Sequence, residues 1–86
     1  MRDEDAPTTP AEARKRLRIL AIRASEVDDG RTANLLSAYA VVVRERPERW
    51  EEMRATVEAL ANQTPNRSLA AVLREASRVV HSLLDP

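Results

Sequence analysis

Thr32–Val43, TANLLSAYAVVV, is the only stretch of the chain that is apolar over most of a helical circumference. At 100° per residue Leu35, Leu36, Ala38, Tyr39, Val42 and Val43 share a broad arc, which Ala33 and Ala40 extend. Val41-Val42-Val43 has strand propensity, but no second β-rich run exists to pair with it, and a lone strand leaves its backbone groups unsatisfied. Helix is therefore the reading, over about 31–46. A helix this apolar belongs at the centre of a helical domain, with its neighbours closed around it or a second copy of the chain contributing.

Upstream, Thr9-Pro10-Ala11-Glu12 combines an N-cap hydroxyl, a proline at the first helical position and a glutamate three residues past the cap. A helix over 10–27 follows, with Ala13, Leu17, Leu20, Ala21, Ala24 and Val27 on one stripe. Asp28-Asp29-Gly30 supplies its stop and the N-cap of the next helix. Downstream, Pro47 biases Arg46 away from the α region and either turns the chain or kinks one long helix. Trp50, Met53, Val57, Leu60 and Thr64 then form the seam of a third helix over 47–62. The cluster NQTPNRS at 62–68 is a turn that offers Thr64-Pro65 or Ser68 as the next helix start. A fourth helix over 66–84 is cleanly amphipathic, with Leu69, Val72, Leu73, Ala76, Val79, Val80, Leu83 and Leu84 on one face. The expected fold is all-α: a four-helix domain over 10–86, arranged as an antiparallel up-down bundle, behind a short disordered tail at 1–9.

Composition narrows the chemistry. There is no cysteine and one histidine, His81, so thiolate metal sites and cysteine nucleophiles are excluded. Gly30 is the sole glycine, which removes phosphate-cradling loops. The acidic start MRDEDAPTTP and the short apolar run 38–43 fit neither a signal peptide nor a membrane span, so a cytoplasmic location is expected. Formal charge is zero, and Tyr39 and Trp50 are the only aromatics, few for stacking single-stranded nucleic acid. No cofactor, metal or small-molecule substrate is expected.

Ser77, His81 and Asp85 stand at i, i+4 and i+8, the order of a catalytic triad. They sit on the solvent side of a terminal helix with no oxyanion-hole loop, so an enzyme is not the reading. The carboxylates Asp28-Asp29 and Glu48, Glu51 and Glu52 are explained by capping and by the helix dipole.

Two groups of residues resist structural explanation. Ile19 and Ile22 lie off the apolar stripe of the first helix and Val41 off the main arc of the second, either as scattered exposed aliphatics or as an interface. Arg14, Lys15, Arg16 and Arg18 crowd the N-terminal half of the first helix, the wrong end for its dipole. An up-down bundle would set them beside Glu48, Glu51 and Glu52 of a parallel third helix; otherwise they await an external anion. Arg74 and Arg78 lie toward the C-terminal half of the fourth helix, where the dipole favours them.

The function expected by elimination is a non-enzymatic helical binding or regulatory module that works through protein–protein contacts and self-associates, using Ile19, Ile22 and Val41. The alternative is a nucleic-acid-associated protein, a small regulator or a subunit of a nucleoprotein assembly, with contacts from Arg14, Lys15, Arg18, Arg74 and Arg78.

Overall fold

Single side chains, Thr9 and Asn66, cap two of the helix starts among the described residues. In the computed structural model, which describes residues 9–27 and 30–84, Thr9 caps the first helix, α1 (Pro10–Glu26), by accepting from the Glu12 amide at 3.2 Å. The Val27 amide closes that helix on the carbonyls of Arg23 and Ala24. Gly30 is the first residue of α2 (Gly30–Glu45) rather than a terminator of α1. Asp28 and Asp29, and with them the expected stop and cap, lie outside the described residues, as do residues 1–8 of the expected tail.

Pro47 decides the next junction. Arg46 leaves the helical region (φ −133°, ψ 73°), as a residue before proline must, and a single 3-10 turn, Pro47–Arg49, follows. The chain therefore turns a corner instead of continuing as a kinked rod. Two bonds fasten the corner: the Arg49 amide donates to the Arg46 carbonyl at 2.9 Å, and the indole N–H of Trp50 donates to the Val43 carbonyl at 2.8 Å. The second satisfies a carbonyl that the end of α2 leaves open.

After the corner come α3 (Trp50–Gln63) and α4 (Arg67–Leu84). Asn66, rather than Thr64 or Ser68, starts α4: its side-chain oxygen accepts from the Leu69 amide at 3.0 Å and its carbonyl from the Ala70 amide at 2.8 Å. Among the described residues all regular structure is helical, and the four helices pack as a compact bundle. The radius of gyration is 11.9 Å, against about 12 Å expected for a single domain of this length.

The packing corrects the expectation for α2. The extensive contacts run between α1 and α2, between α3 and α4, and between α1 and α4, while α2 shares no extended contact with α3 beyond the 3-10 turn. The chain is thus two helical hairpins joined along α1 and α4. Only Thr32, Leu36, Ala40 and Val43 of α2 are buried, a narrow stripe at spacings of four, four and three. Leu35 is half-buried, and Ala38 and Val41 are exposed. α1 and α4 each touch two neighbours, and α4 buries the most side chains: Leu69, Val72, Leu73, Ala76, Val79 and Val80.

Candidate functional site: the groove between the first two helices

The α1 and α2 hairpin is closed on its core side and open on the other. Ala21 and Ser25 of α1 face Ala33, Ser37 and Ala40 of α2 across an open groove of about 560 Å³. Five small side chains in a row leave it, because none is long enough to bridge the two helices. Its walls are aliphatic: Ile22 from α1 and Val41 from α2, exposed by 60% and 54%. Toward the N-terminal end of α1 the groove runs between Arg14 and Arg18, and a second cleft lined by Arg14, Val41, Arg44 and Glu45 continues it.

Four of the residues singled out in the sequence, Arg14, Arg18, Ile22 and Val41, thus meet in one place. Ile19 does not join them. It is 52% exposed and lines a smaller cleft on the other flank of α1, with Arg16, Leu20, Arg23 and Glu75. Lys15 is exposed on α1 outside the groove. Arg74 and Arg78 lie exposed on α4, and Arg78 is paired with Glu75 at 2.8 Å. Of the three residues in triad order, Ser77 is half-buried and His81 exposed on α4, and Asp85 lies outside the described residues.

Internal compensation of the basic cluster by the third helix does not occur. Glu48 pairs with Arg46 at 2.7 Å, Glu52 with Arg49 at 3.2 Å, and Glu51 with Arg54 at 2.6 Å; Arg54 also holds Glu58. These pairs are local because their partners stand two to four residues away, whereas α1 packs against α2 and α4. The hydrogen bond to Arg54 holds the Glu51 carboxyl below the usual carboxylate range, and Arg46 does the same for Glu48. Among the described residues only Arg16 of the α1 cluster finds a carboxylate, Glu75 of α4, at 2.9 Å. Arg14 and Arg18 fall on the opposite flank of the helix, toward α2. Among the described residues neither they nor Lys15 nor Arg44 makes an ion pair.

The parts of this site that sequence reasoning missed are Arg44 and the groove floor. A signal existed: Ala21 and Ser25, and Ala33, Ser37 and Val41, stand at i, i+4 spacing beside the buried stripes. Among the described residues no cluster of three or more histidine or carboxylate side chains is set to hold a metal, and no helix is long and apolar enough to cross a membrane. Compared with protein-family models, curated proteins and solved structures, the chain matches none.

Proposed function

We propose that this chain is a non-enzymatic helical binding module that acts through protein–protein contacts at the α1 and α2 groove, and that it self-associates there. The carrying observation is the groove itself: a floor of alanine and serine, two exposed aliphatic walls and, at one end, arginines with no ion pair among the described residues. Ile22 and Val41 are single large apolar groups held in water, and covering them gains hydrophobic free energy that folding leaves unused. The small floor lets another element approach closely, and the arginines give that approach a direction. As a regulatory device such a module acts by occupying or releasing a partner, within whatever compartment holds it; a cytoplasmic one fits the composition.

Size exclusion with light scattering tests this. Wild type should run as an oligomer at micromolar concentration, and Ile22→Glu with Val41→Glu should run as a monomer with unchanged helical circular dichroism. A wild-type monomer throughout that range contradicts self-association.

A second reading has its own observation. Among the described residues Arg14, Lys15 and Arg18 have no ion-pair partner, and a basic stripe of this kind also suits a phosphate backbone. It expects retardation of duplex DNA, single-stranded DNA or RNA at low salt that fades steeply as salt is added. Absence of retardation at low salt removes it.

A further inference from the structure

The groove is basic and lined with small residues; another surface of the same chain has the opposite character. The outward face of α3 carries Glu51, Glu52, Ala55, Glu58 and Ala59, all exposed. Charge is divided accordingly: α1 holds five cations against two carboxylates, while the 3-10 turn and α3 together hold four carboxylates against two arginines. Arg16 is offset by Glu75 of α4, but the two imbalances do not neutralise each other, since α1 and α3 share no extended contact.

Resting on the self-association reading above, we infer that the α1 and α2 groove receives the outward face of α3 from a second copy of this chain. Alanines at 55 and 59 let that helix lie close against the Ala21, Ser25, Ala33 and Ser37 floor, and Ile22 and Val41 close over its sides. The carboxylates of Glu51 and Glu58, two turns apart, meet Arg14, Arg18 and Arg44. Their present partner, Arg54, costs little to share, because exposed pairs of this kind are weak. Two such contacts related by a two-fold axis close a dimer. A phosphate backbone would use the arginines but gain nothing from the aliphatic walls, which is why a protein surface is the occupant.

Reciprocal charge reversal distinguishes the possibilities. Arg14→Glu with Arg18→Glu forms one variant, and Glu51→Arg with Glu58→Arg the other; all four positions are exposed or half-exposed, and circular dichroism checks the fold. Each variant alone should dissociate on the order of tenfold more readily than wild type. An equimolar mixture should recover the wild-type oligomer, because each contact in the mixed dimer again joins opposite charges. Recovery on mixing supports the inference. Oligomers that persist in both variants but break with Ile22→Glu and Val41→Glu overturn the α3 assignment and leave the groove reading standing. A wild-type monomer overturns both, and a monomer that co-purifies with nucleic acid does so in favour of the phosphate reading.

Discussion

Arg54 shows how a charged residue in this chain is used up locally. It reaches Glu51 one way and Glu58 the other, and its hydrogen bond lowers the Glu51 pKa. A carboxylate whose folded pKa is depressed stabilises the fold above its unfolded pKa, near 4.3 for glutamate, and that contribution is lost as pH falls through the lower, folded value. Urea midpoints should therefore decline as the solution is acidified through and below that range, and Arg54→Gln should flatten part of the decline. An unchanged pH slope in the variant contradicts the pairing. Glu51 is exposed, so the effect is small. Asn66 is the second residue to probe. Asn66→Ala should cost ~1 kcal/mol of stability because the Leu69 amide depends on the Asn66 side-chain oxygen as its cap, and Ser68→Ala should cost a few tenths at most. Equal losses would mean that the cap is misassigned. The single tryptophan, Trp50, reports both unfolding curves by fluorescence.

At the scale of the helix, existence and extent were legible from periodicity, and the misreadings trace to partners. Thr9 and Pro10 start α1 as their chemistry dictates, because a cap acts on amides three residues away. Asn66 was overlooked because Thr64, Pro65 and Ser68 offer the same signal within four residues, and only the backbone path chooses among them. The breadth of the α2 arc predicts a central helix, yet Ala38 and Val41 stay exposed. An apolar arc states how much surface a helix is able to bury, not which neighbour arrives to cover it. The corner at Arg46 carries α3 away to α4, and one flank of α2 is left open. The consequence is measurable. Leu36→Ala, fully buried against α1, should destabilise by ~2–5 kcal/mol, whereas Leu35→Ala, half-buried on the same helix, should cost about 1 kcal/mol or less. Comparable losses in urea unfolding would restore α2 to the centre of the core.

For the whole molecule, charge was the hardest property to read. The excess of arginine on α1 was visible in the sequence, and so were the glutamates of the third helix, but their separation depends on which helices touch. Arg14 and Arg18 stand on the α2 flank of α1, Arg16 on the α4 flank, so two residues of offset decide whether a cation finds Glu75 or none. An offset of three residues likewise separates Ile19 from Ile22, which the sequence groups as one patch and the fold assigns to different clefts. That separation supplies an internal control, because these are the only two isoleucines in the chain. Methyl NMR of an isoleucine- and valine-labelled sample, diluted from high to low micromolar concentration, reads each cleft by its own signal. The account predicts that the Ile22 and Val41 methyl shifts titrate together with dilution while Ile19 holds still; shifts that do not depend on concentration, or movement at Ile19 alone, would contradict it.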